Sequence, residues 1–119
     1  MTEIRAYIDR YFAKPLTVPH LARRAKLSPY HFIRAFRAET GLTPHQYLRM
    51  RRIERAQHLL ATTPMDVTEI CEAVGFKSLG SFSSVFRRIT GHSPTAFRAA
   101  RRRPAYIPSC FIRMYRVGR

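Results

Sequence analysis

The sequence predicts an all-α fold of about seven helices, built as two helix-turn-helix subdomains joined by a long connector helix. Three observations carry that prediction. Apolar residues recur at helical spacing through most of the 119 residues. Cap residues followed by proline or a capping-box partner punctuate the chain at regular intervals. Most telling, the chain repeats itself. Ser28, Phe32, Phe36, Arg37, Thr40, Gly41 and Pro44 align with Ser78, Phe82, Phe86, Arg87, Thr90, Gly91 and Pro94 at one constant offset. Upstream the offset shortens by one, pairing Val18, Leu21, Ala22 and Leu27 with Val67, Ile70, Cys71 and Phe76. The second copy therefore carries one extra residue in its turn, around Gly75 to Lys77. Such self-similarity marks one supersecondary unit used twice.

Each element has a local reason. Ile4, Ile8, Tyr11 and Phe12 form one apolar face and predict a helix over residues 2–13, ended by Pro15. Thr17 caps a short second helix through about Ala25, with Val18, Leu21 and Ala22 inward. Ala22 is small where two helices must cross closely, and Cys71 fills the same place in the second copy. Ala25, Lys26 and Leu27 make the turn. Ser28-Pro29 starts the third helix, which runs to about Thr40 and ends at Gly41. Phe32, Ala35 and Phe36 are its buried stripe. Tyr30, Arg34 and Arg37 lie on the opposite side, flanked by His31 and Ile33.

Thr43, Pro44 and Gln46 open the connector, expected to run unbroken to about Ala61. Tyr47, Leu48, Ile53, Ala56, Leu59 and Leu60 are its packing residues. Arg49, Arg51, Arg52 and Arg55 are expected to face mostly solvent, with Glu54 able to pair with neighbouring arginines. Such a rod spans roughly 25 Å and should hold the two units near one DNA turn, about 34 Å, apart. Asp66 and Glu69 form a capping box for the fifth helix, with Val67, Ile70, Cys71 and Val74 inward. Ser78 caps the sixth, whose buried stripe is Phe82, Val85, Phe86 and Ile89. Its outward residues are Gly80, Ser81, Ser84, Arg87 and Arg88. Ser93-Pro94 begins a last short helix through about Arg98. The domains read as residues 1–43, the connector 44–61, residues 62–98, and a basic, aromatic tail 99–119. In that tail Arg101 to Arg103 could touch phosphate. Tyr106, Ile107, Phe111, Ile112, Met114 and Tyr115 either fold back or form a disordered tail.

Composition narrows the partner. A hydrophobic content of 45% argues against disorder, and a formal net charge of +15 suits a polyanion: DNA, RNA or an anionic membrane. No apolar run is long enough to span a bilayer, and the opening MTEIRAYIDRYF lacks a signal-peptide core. The expected compartment is the cytoplasm. Cys71 and Cys110 make no metal-ligand spacing with the five histidines. They read as free thiols, Cys71 as a small core residue, and no cofactor is expected. No nucleophile–base–carboxylate set appears, so an enzyme is not expected. A membrane-surface role is disfavoured because the connector's apolar face is needed between the units. The alternative, a nonspecific RNA- or DNA-binding module, would need aromatic stacking surfaces or a basic shape-reading face, and the aromatics here sit at buried spacing.

With both copies placed, the chain resembles the DNA-binding domain of the AraC/XylS family of bacterial transcription regulators. The match runs over roughly residues 3–98 and is most specific in RRIERAQHLL, VTEICEAVGF, SFSSVFRRITG and SPTAFR. It looks like the short members, which consist of this part alone; larger members add a ligand-sensing domain. The resemblance implies a monomer on double-stranded DNA, with one recognition helix in each of two successive major grooves. It implies base contacts from Tyr30, His31, Ile33 and Arg34, and from Leu79, Gly80, Ser81 and Ser84. It also implies a nucleoid-associated protein that meets RNA polymerase. Leu79, Gly80 and Ser84 stand where several family members carry glutamine or arginine.

Side-chain chemistry then distinguishes the two units. Arg34 is the clear candidate for a bidentate contact to guanine, Tyr30 and Ile33 for a thymine methyl. Ser81 and Ser84 read weakly or through water. Arg37, Arg87, Arg88 and the helix starts at Ser28 and Ser78 are expected on phosphate. The first unit should specify sequence and the second mostly anchor.

Overall fold

The computed structural model describes residues 1–100. Among them are seven helices and no strand: α1 Thr2–Tyr11, α2 Val18–Arg24, α3 Pro29–Thr40, α4 Pro44–Thr62, α5 Val67–Ala73, α6 Leu79–Thr90 and α7 Pro94–Ala99. The connector α4 packs against α3, α5, α6 and α7. Expectations for the tail lie outside the described residues.

The repeat is physical as well as textual. Thr17 and Asp66 accept from the backbone N–H of His20 and Glu69. Ser28 and Ser78 do the same for His31 and Ser81, and Thr43 and Ser93 for Gln46 and Ala96. Each bond satisfies one donor that the first turn of a helix leaves orphaned. Gly41 and Gly91 end α3 and α6 at φ 81° and 82°, a conformation in which a Cβ would crowd the carbonyl. Asp66→Ala should cost about 0.5–2 kcal/mol, read as a lower denaturant midpoint with an unchanged slope.

Two matching aromatic ladders fill the core. Phe32, Phe36 and Tyr47 stack with ring centroids 5.8 and 5.5 Å apart. Phe82, Phe86 and Phe97 repeat the arrangement at 5.7 and 5.5 Å. The four phenylalanines of α3 and α6 are fully buried. Tilted and edge-on pairs of this kind add to the burial itself.

Several expectations need correction. α1 stops at Tyr11, two residues short of the expected end, and Tyr11 and Phe12 are only half-buried. α4 runs one residue further than expected, to Thr62. Ala35, Leu59 and Ile89 are half-buried where the pattern placed them inside. Leu42, Met50 and Gln57 are buried without having been singled out. Among the described residues Gln57 Oε1 has no hydrogen-bond partner.

The largest departure concerns the connector arginines. Of these four only Arg55 is exposed, and the others are half-buried. Arg51 pairs with Glu54, as the sequence suggests, but also with Asp9 at 3.1 Å. Tyr47 donates its hydroxyl to the same Asp9 at 2.7 Å. Burial, reinforced by that carboxylate, pushes the Tyr47 phenol above its usual range. Arg52 donates from Nε to Phe12 O at 2.7 Å and from Nη2 to Lys14 O at 3.0 Å. Burial pulls its guanidinium below the usual range. Arg98 caps the other unit comparably, donating to Leu60 O at 3.2 Å and Thr63 O at 3.1 Å. Each unit is thus closed by an arginine that donates to backbone carbonyls of an earlier helix or loop.

The two units also touch directly. The turn of the second sits against the loop that follows α1. A Cβ built on Gly75 would lie 2.7 Å from Ala13 O and 3.0 Å from its C and Cα. The Arg52 guanidinium, already bound to that loop, lies 5.8 Å from the centre of the Phe76 ring. The spacing of the units therefore does not rest on the connector alone.

Candidate nucleic-acid interface

α3 and α6 each bury one stripe and present the other. Their N-terminal turns hold no acidic residue, so the positive end of each backbone dipole is uncompensated. α6 carries no acidic side chain at all, and α3 only Glu39, near its far end.

On α3, Tyr30 is 63% exposed. Arg34 donates from Nη1 to the Tyr30 hydroxyl at 2.8 Å, its guanidinium 5.5 Å from the ring centre. That contact pre-orders a long side chain on an open surface and leaves its other N–H groups available. His31 is exposed, with its Nδ1 2.7 Å from Ser28 Oγ. The Ser28 hydroxyl thus serves its own cap and His31 before any ligand arrives. Arg37 is exposed, whereas Ile33 is half-buried, at the edge of the stripe and not squarely outward.

On α6, Leu79 is 45% exposed. Gly80, Ser81, Ser84, Arg87 and Arg88 are all exposed, as is the cap residue Ser78. A Cβ at Gly80 would meet nothing within 4 Å, so this glycine leaves a flat spot by absence of a side chain. Among the described residues the only ion pairs are those of Arg51. Arg34, Arg37, Arg87 and Arg88 accordingly face outward without a carboxylate partner there.

Between the units lies an open cleft of about 740 Å³, lined by His45, Arg49 and Arg52 of α4, by Glu72 and Lys77, and by Ser78 and Ser81 at the start of α6. Burial, then the nearby Arg49 and Arg52, hold the His45 imidazole below its usual pKa. The sequence pattern places Arg49 mostly in solvent and does not single out His45 or Lys77 as functional residues. The sequence signal for Lys77 was present: it is the extra residue of the second copy.

These features define a paired helix-turn-helix domain with two exposed basic helices. The comparisons agree. Residues 21–100 match a family model described as a helix-turn-helix domain. The probable transcriptional regulator LumQ of Photobacterium leiognathi is 35% identical over 82% of this chain. The chain spans only 40% of LumQ's length. The DNA-binding domain of the global transcriptional factor AdpA, solved with a target DNA, superposes with TM-score 0.81 at 38% identity, covering 83% of this chain and 89% of that one. A transcriptional regulator with an AraC-type DNA-binding domain from Chromobacterium violaceum gives 0.78 at 30% identity, over 87% and 93% of the two chains. The chain belongs to the AraC/XylS family of helix-turn-helix proteins.

Proposed function

We propose that this chain is a sequence-specific, double-stranded DNA-binding transcription regulator that inserts α3 and α6 into successive major grooves. The observation that carries the reading is the pairing itself. Two helices with the same caps, the same buried ladder and cationic outer faces sit on units clasped together through Gly75 and Arg52. AdpA, whose structure holds target DNA, shares the fold.

Tyr30, His31, Ile33 and Arg34 read bases in the first groove; Leu79, Gly80, Ser81 and Ser84 face those in the second. Arg37, Arg87, Arg88, Ser28 and Ser78 hold phosphate. Residues 1–43 and 62–98 act as the two reading units and 44–61 as the connector. The chain binds as a monomer in the cytoplasm, on the nucleoid, meets RNA polymerase there and performs no catalysis. No helix among the described residues is long and apolar enough to cross a membrane.

The test is selection from random duplexes on the purified protein, followed by footprinting. A bipartite site with half-sites one helical turn apart supports the reading. Equal binding to all duplexes and to bulk RNA overturns it. Arg87→Ala should weaken binding to cognate and scrambled duplexes alike and flatten the salt slope by about 0.9, measured by fluorescence anisotropy across salt concentrations.

A further inference from the structure

The cleft between the units has its own chemistry. Arg49, Arg52 and Lys77 are three cations against one carboxylate, Glu72, and none of the three has an ion pair among the described residues. Arg49 and Arg52 lie close enough to His45 to add to burial in disfavouring its charged form. Clustering three cations around a single carboxylate is unfavourable, and a further anion relieves it.

The place of the cleft says which anion. Ser78 and Ser81, at the start of α6, form part of its wall, so it is continuous with the proposed reading face. Two major grooves read from one side of a duplex are separated by a minor groove flanked by phosphates. That segment must lie across the gap between the units.

We propose that this cleft is a third DNA contact, a preformed seat for the sugar-phosphate backbone between the two half-sites, with Arg49 and Lys77 as its phosphate-binding residues. The inference rests on the DNA-binding reading above. Arg52 plays a different part: its Nε and Nη2 are committed to Phe12 O and Lys14 O. It holds the cleft walls at their separation. Lys77 lies in the second turn alone, because the first copy passes directly from Leu27 to Ser28. The extra residue thus places a cation in the cleft without disturbing either capped helix.

The test is the salt dependence of binding to the selected bipartite duplex by wild type, Arg49→Ala/Lys77→Ala, and the bulkier Arg49→Gln/Lys77→Gln. Arg55→Ala is the control, since Arg55 is exposed on the same helix but does not line the cleft. Both double variants should flatten the slope by about 1.8, two phosphate contacts at about 0.9 each. They should lose hydroxyl-radical protection between the half-sites while keeping it within them. Arg55→Ala should change neither. Unchanged slope and central protection in folded double variants overturn the inference and leave the DNA reading intact. Failure of the wild type to select any duplex overturns both.

Discussion

Replacing Gly75 by alanine should be the most damaging single change in the turn regions, costing about 2–5 kcal/mol from backbone strain and overpacking together. Two independent facts set that size. The residue sits at φ 99°, outside the left-handed region that L side chains tolerate. Its added Cβ would also meet Ala13 O at 2.7 Å, and that obstacle is backbone that cannot rotate aside. The repeat supplies the comparison. Lys26 occupies the matching turn position in the first copy, at φ 59°, exposed and without such a neighbour. Both turns close in the same way, with Leu27 N bonded to Ala22 O and Phe76 N to Cys71 O. A helix-turn-helix turn can therefore hold a side chain here; in the second copy the wider φ and the contact between the units together forbid one. Lys26→Gly should leave stability within about 1 kcal/mol of wild type. Thermal unfolding decides: Gly75→Ala should lower Tm by at least about 8 °C in a domain of this size. Equal Tm values for the two variants would show that the contact with Ala13 carries no weight.

Arg34→Ala should relax base preference at one or two positions of the first half-site, by about 1–3 kcal/mol or roughly 5–150-fold in discrimination. Arg34 is an exposed side chain of α3 whose geometry suits the two acceptors of a guanine edge, and Tyr30 already holds it in place. Tyr30→Phe removes the hydroxyl that accepts from Arg34 while keeping the ring. It should give a smaller loss at the same positions, because only the ordering of Arg34 changes. The α6 counterparts Leu79, Gly80, Ser81 and Ser84 offer little hydrogen-bonding reach, so Ser84→Ala should hardly alter the selected sequence. Parallel selections with the three variants measure this. A preference that moves with Ser84 and not with Arg34 would reverse the proposed division of labour.

What the sequence made legible follows from range. Caps, turns and helix stripes depend on residues three or four apart, and Thr17, Ser28, Thr43, Asp66, Ser78 and Ser93 all cap as their spacing suggests. The duplication extended that to topology, because a unit used twice has one way to bury its phenylalanines. Arg51 and Arg52 escaped for the opposite reason. Their partners Asp9, Phe12 and Lys14 lie about forty positions away in the chain, and a charged residue on a helix reads as solvated without them. Gly75 read as a turn, but its neighbour Ala13 was out of reach of any local pattern. Gln57 was passed over since apolar periodicity does not register a buried amide. The outward residues of α3 and α6 were placed by period alone, which settles exposure and says nothing of what they touch. Ile33 shows the resolution of that method, since a residue at the edge of a stripe falls to neither side.

The clasp of Ala13 against Gly75, with Arg52 bound to the same loop, makes the two units a ruler as well as a pair of readers. Changing the separation of the selected half-sites tests this most directly. Inserting about 5 base pairs, half a helical turn, turns the second groove to the far side of the duplex. The hydroxyl-radical footprint of the second unit should then stay one helical turn from the first half-site, on the inserted sequence, with affinity falling only by what the sequence of the second half-site contributes. Protection that follows the displaced second half-site would mean that the units bind independently, and would contradict the account.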